Sequence, residues 1–154
     1  MYTKIHVGVI GAAECSSEMY HQAEEVGHLI GKNEWILFCG GLGGVMEGAA
    51  KGCYQSDGMT VGILPGKEKD SANPFIRIPI VTGLGEGRNL LVVRASDVVV
   101  AIAGGYGTLS EIGLALKIGK PVIGLNTWPG IAGVDYAETP EQAIAQVVKY
   151  LLRR

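Results

Sequence analysis

Short apolar runs alternate along the chain with longer stretches in which apolar positions return every three or four residues. Residues 5–10 make a β-rich run that ends at Gly11, and 35–39, 60–64, 76–81, 97–102 and 121–125 read as further strands. The intervening pattern predicts helices. The first is capped by Ser16 or Ser17 and runs to about Lys32, with Tyr20, Ala23, Val26 and His28-Leu29-Ile30 on an approximate helical period. Small residues build a second over 45–54, a third covers 88–96, and a fourth starts at Thr108 and carries through 112–118. Residues 66–73, between Pro65 and Pro74, form a polar loop, and 126–138 form another around Trp128-Pro129-Gly130. Thr139-Pro140-Glu141-Gln142 is a capping box with proline at the first helical position. It opens a last helix ending in Arg153-Arg154, whose charge suits the negative end of the helix dipole.

Nearly continuous apolar strands, each followed by a helix, require a parallel sheet covered on both faces. With right-handed crossovers this predicts a Rossmann-like, doubly wound α/β fold, one domain over residues 1–154 without internal repeat. Such folds bind ligands at the carboxyl ends of their strands. Three glycine turns fall at those ends: Gly11-Ala12-Ala13, Gly40-Gly41-Leu42-Gly43-Gly44 and Gly104-Gly105-Tyr106-Gly107. The 24 glycines of the chain therefore mark turns and not a low-complexity tract.

Composition narrows the partners. Hydrophobic residues make up 47% and charged residues 18%, which predicts a homodimer or higher homo-oligomer that hides part of the surface. A net charge of −2 argues against nucleic acid, since phosphate-tracking surfaces need clustered Lys and Arg. Cys15, Cys39 and Cys53 lack metal-ligand spacing and fit a reducing cytoplasm. Met1-Tyr2-Thr3-Lys4 leads straight into a strand with no signal peptide, and no apolar run approaches the ~20 residues that span a bilayer. The expectation is a cytoplasmic protein with no membrane partner, metal or resident cofactor.

The candidate chemistry lies in Ala103-Gly104-Gly105-Tyr106-Gly107-Thr108-Leu109-Ser110-Glu111. A glycine loop between strand and helix lets the backbone approach an anion, and the free N–H groups of the first helical turn point at it. Thr108 adds a hydroxyl and Glu111 a carboxylate, so a bound phosphate beside an ionisable group is expected. Thr108-x-x-Glu111 also reads as a capping box, which needs no ligand at all. Arg88 at a helix start is an awkward place for a cation, which favours an anionic neighbour, either a ligand or Glu111. Met46 reads as core. A dinucleotide fingerprint fails at Gly41-Leu42-Gly43-Gly44-Val45-Met46, where Met46 stands for a small residue and no acid ends the next strand. No Walker lysine follows either glycine loop.

Gly40-Gly41-Leu42-Gly43-Gly44-Val45-Met46, Gly87-Arg88-Asn89, Ser96-Asp97 and Gly104-Gly105-Tyr106-Gly107-Thr108-Leu109-Ser110-Glu111, in this order, resemble the LOG ("lonely guy") family, formerly labelled lysine decarboxylase-like. The resemblance covers roughly residues 7–125. It implies a Rossmann-like homodimer that hydrolyses the N-glycosidic bond of nucleoside 5′-monophosphates, releasing base and ribose 5-phosphate. It implies Arg88 and Glu111 as catalytic residues. Gly104, Gly105, Tyr106, Gly107 and Thr108 would form the phosphate segment, with Gly11, Gly40, Gly41, Gly43 and Gly44 completing the ligand site. A carboxylate there would stabilise oxocarbenium character as the ribosyl bond breaks.

Several positions depart from that pattern. Ala103-Gly104-Gly105 replaces the family's PGG, Asn89 replaces a basic residue, and Gly85-Glu86-Gly87 replaces a histidine-containing approach. Ser110 stands for a glutamate, and Ala12-Ala13 stand for serines. Cytokinin activation is therefore not expected. As the alternative, the chain also resembles molybdenum cofactor carrier proteins, which bind a phosphorylated pterin without consuming it; Glu111 would then be a cap and Arg88 an anion ligand. A DNA-processing protein of related fold would need a basic face that this chain lacks.

Overall fold

The computed structural model describes residues 3–153; Met1, Tyr2 and Arg154, the last expected at the end of the final helix, lie outside the described residues. The chain runs β1 (His6–Gly11), α1 (Ser17–Lys32), β2 (Ile36–Cys39), α2 (Val45–Gln55), β3 (Met59–Leu64), β4 (Ile78–Val81), α3 (Arg88–Ala95), β5 (Val98–Ile102), α4 (Tyr106–Lys117), β6 (Val122–Leu125), β7 (Val134–Ala137) and α5 (Pro140–Leu152). The strands form one parallel sheet in the order β4-β3-β2-β1-β5-β6-β7.

Strand period two divides the core. Val98, Val100 and Ile102 of β5 face the layer that holds Ala23, Val26 and Val147, while Val99 and Ala101 face the layer of Val92 and Ile112. Helices α1, α2 and α5 thus cover one face, and α3 and α4 the other. Close approach of α1 to α2 rests on glycine: a Cβ on Gly27 would lie 1.9 Å from the Ala49 carbonyl oxygen, and one on Gly52 1.9 Å from that of Glu24.

The chain winds outward from β1 to β4 and then crosses to β5 on the far side of β1. This reversal opens a crevice at the carboxyl ends of β1 and β5, the place where open α/β sheets bind ligands. Gly11 closes the end of β1 against Ile102, and a Cβ there would meet the Ile102 carbonyl at 2.4 Å and Val45 at 2.5 Å.

Three details differ from the sequence expectations. The loop at 126–138 contains β7, a short edge strand in which Val134 alone is buried, so its hydrophobic pattern is almost silent. The fourth strand starts at Ile78 and not at residue 76, because Asn73 and Thr60 hold the preceding backbone in a turn. Helix α4 begins at Tyr106, two residues before Thr108, so Gly107 is helical and Gly105 is the cap. Both serine and threonine caps are as expected: Ser16 accepts from the Met19 N–H, and Thr139 from that of Gln142.

Candidate functional site

A cavity of about 380 Å³ opens at the crevice. Of the residues picked out in the sequence, Gly11, Gly40, Arg88, Gly105, Gly107, Thr108 and Glu111 line it. They come from four separate segments, converging because each follows a strand of the same sheet edge.

The N-termini of α2, α3 and α4 approach the crevice, and those of α2 and α4, which follow the glycine loops, are not equivalent. At α2 the Val45 N–H is taken by the Ala12 carbonyl (3.0 Å), and Glu47 already places a carboxylate in the first turn, accepting from Tyr20. At α4 no side chain caps the helix and its first turn carries no acid. The partial positive charge of α4 and its first N–H groups are thus left for an anion.

The loop before α4 is bent sharply. Ala103 has φ +50° and Gly104 φ +107°, and a Cβ on Gly104 would lie 2.2 Å from Thr108 Oγ1. Proline is locked near φ −65° and cannot adopt the Ala103 conformation. Alanine in place of the PGG proline is therefore matched to this loop. Thr108, 3% exposed, packs beneath Gly104 at the third position of α4.

Arg88 is the first residue of α3 and only 9% exposed. Its guanidinium lies over Gly40, where an added Cβ would sit 2.7 Å from Nη2. Nη1 donates to the Asn89 side-chain oxygen, and Nε is buried without a hydrogen-bond partner among the described residues. A buried guanidinium donor left unpaired is costly unless something else accepts from it. Burial draws the Arg88 pKa down, with Glu111 opposing the shift.

Glu111 is 7% exposed and sits in the sixth position of α4, well past the first turn. It does not cap the helix, so the capping-box alternative is excluded. Burial pushes its carboxyl up to about 7, against a smaller downward pull from Arg88. The two residues share the cavity and each feels the other's charge, yet among the described residues they form no ion pair.

The remaining predicted residues lie off the cavity surface. Gly41 (φ +79°) and Gly44 (φ +62°) shape the loop after β2; a Cβ on Gly44 would meet the Ala12 carbonyl oxygen at 2.2 Å, and Gly43 packs against Ala13. Tyr106 is 82% exposed, on the side of α4 away from Thr108 and Glu111. Sequence reasoning missed Asn73, whose N–H and side-chain amide hold the carbonyls of Gly41 and Leu42 at 2.9 Å each. It also missed Glu86 and Asn89 as lining residues, and Met46, read as core, reaches the cavity as well. Asn73 sat at the end of a polar loop with no periodic signal. Asn89 was visible only as the neighbour of Arg88.

Among the described residues no group of three His, Cys, Asp or Glu side chains is placed to hold a metal, and no helix is long and apolar enough to cross a membrane. The sequence profile of the SLOG cluster4 family matches residues 4–150. The chain belongs to the SLOG cluster4 family. The molybdenum cofactor binding protein of the phototrophic bacterium Rippkaea orientalis is 36% identical, with 99% of each chain covered and a TM-score of 0.91. The Moco carrier protein of Chlamydomonas reinhardtii is 38% identical over 99% of this chain and 100% of that one, with a TM-score of 0.89. A cytokinin riboside 5′-monophosphate phosphoribohydrolase of Mycobacterium tuberculosis is 29% identical over 80% of this chain and 71% of its own length. The LOG-like character expected from the glycine motifs, and the Rossmann-like fold, are thus both found.

Proposed function

We propose that this chain binds a phosphorylated heterocycle in the crevice and holds a phosphopterin of the molybdenum-cofactor type as cargo. The observation that carries the reading is the buried Arg88 with its unpartnered Nε, set beside the uncapped start of α4. A phosphate would accept from both, in charge-assisted hydrogen bonds stronger than neutral ones. The cavity is of the size that small-ligand sites have. Its other wall, Ala12, Ala13, Leu42 and Met46, is apolar and suits a planar ring. The two molybdenum cofactor binding relatives, alike over almost the whole chain, support the same ligand class.

Glu111 favours a second reading, nucleoside 5′-monophosphate hydrolysis, which the weaker likeness to the phosphoribohydrolase also supports. A buried carboxyl with a pKa about 7 suits general acid–base work, and Arg88 would orient the ribose phosphate.

The two readings separate in one preparation. Protein purified from a host that makes molybdenum cofactor is assayed for molybdenum and for oxidised phosphopterin fluorescence, then incubated with AMP, GMP, CMP, UMP and IMP. Retained molybdenum and pterin without base release is the expected result. Base release that is abolished in Glu111→Gln would instead establish the hydrolase.

A further inference from the structure

Two consecutive side chains of the β6–β7 connection reach into the glycine loop before α4. Thr127 Oγ1 donates to the Ala103 carbonyl at 2.7 Å, and the Trp128 indole N–H donates to the Gly105 carbonyl at 2.9 Å. These carbonyls bracket Gly104. In a trans peptide the N–H points away from the C=O. The Gly105 carbonyl also accepts from the Leu109 N–H at 3.1 Å, so the indole reinforces a direction that α4 shares, while Thr127 holds the Ala103 carbonyl; the N–H groups of Gly104 and Tyr106 are thereby turned the other way. Gly105, which lies between these two N–H groups, lines the cavity with Gly107 and Thr108; Gly104 and Tyr106 flank that lining in the chain, and Thr127 and Trp128 stand outside it.

The connection is itself fixed. Asn126, at φ +51°, donates to the Gln22 side chain at 2.6 Å. The Trp128 carbonyl accepts from the Tyr136 hydroxyl, which in turn accepts from the Ile131 N–H at 3.0 Å. The indole lies 5.6 Å from the Tyr106 ring. This explains a large aromatic left 82% exposed outside the cavity: it packs on the indole that holds the loop. It also explains how Ala103 persists at φ +50°, a region non-glycine residues occupy when their surroundings over-determine them.

We propose that Thr127 and Trp128 are positioning residues that aim the backbone N–H groups of the 103–106 loop at the ligand's phosphate. The inference rests on the reading of the cavity as a phosphate site. Backbone N–H groups of one short loop turned to the same side attract an anion, and the strength of that attraction depends on their direction.

The test titrates oxidised phosphopterin and its phosphatase-treated product into wild type, Thr127→Val, Thr127→Ser and Trp128→Phe, with thermal unfolding of each. Thr127→Val and Trp128→Phe should weaken the phosphorylated form at least fivefold, leave the dephosphorylated form unchanged, and unfold near the wild-type temperature. Thr127→Ser should restore affinity. Wild-type affinity for phosphopterin in both donor-deleting variants would overturn the positioning role alone, as would equal weakening of both ligand forms. A wild type that does not distinguish the two forms would overturn the phosphate site and this inference with it. The two donors are removed independently, so misfolding of one variant leaves the other to decide.

Discussion

Glu111→Gln should stabilise the folded protein above neutral pH. Glu111 lies inside the molecule at 7% exposure, and burial lifts its carboxyl from the usual 4.5 to about 7. The folded chain therefore keeps a proton between pH 4.5 and 7 that the unfolded chain has lost. Stability contributed by this group is complete below 4.5, declines as pH rises through 7, and stays low beyond it. The full difference corresponds to roughly 3 kcal/mol, a large share of the roughly 5–15 kcal/mol that holds a domain folded. Glutamine keeps the shape and removes the ionisation. At pH 8 the variant should gain about 1–3 kcal/mol, since the amide must still find hydrogen-bond partners. At pH 5 the two proteins should be within about 1 kcal/mol. Urea unfolding at pH 5 and pH 8 checks this directly. Destabilisation by glutamine at pH 8, or a wild-type stability that does not fall between those pH values relative to the variant, would refute the reasoning.

Further expectations follow from the same geometry. Gly40→Ala would put a Cβ 2.7 Å from both Arg88 Nη2 and Met46 Sδ; these flexible ends can shift, so phosphopterin affinity should fall about tenfold (roughly 1.4 kcal/mol) while the unfolding temperature barely moves. Between pH 7 and 8.5 the ligand phosphate, with its second pKa about 6, is already a dianion. Ionisation of Glu111 in the same cavity should then weaken binding a few-fold in wild type but not in Glu111→Gln, measured by fluorescence titration across that range. Gly27→Ala drives a methyl into the Ala49 carbonyl at 1.9 Å and should cost about 2 kcal/mol or more in urea unfolding, because backbone cannot step aside.

Much of the fold was legible because β1, β5 and β6 are buried on both faces, with Gly11, Gly104 and Pro121 at or close to their ends, so each strand announces itself. β7 was not, since an edge strand with one inward valine carries no alternation to detect. At the site, the glycine turns and the pair Arg88 and Glu111 were visible as residue types at strand ends. The role of Glu111 was ambiguous for a local reason: Thr108-x-x-Glu111 satisfies the capping-box pattern, and only the helix start at Tyr106 removes it. Thr127, Trp128 and Asn73 act on carbonyls 23 to 32 residues away in sequence, and hydrogen bonds between distant loops leave no periodic trace.

The measurement that tests the account most directly is the affinity of wild type and Arg88→Ala for oxidised phosphopterin before and after phosphatase treatment, by fluorescence titration. Wild type should prefer the phosphorylated form by at least tenfold, and Arg88→Ala should lose most of that preference while remaining folded. Equal affinity of wild type for the two forms, or an unchanged preference in Arg88→Ala, would contradict it.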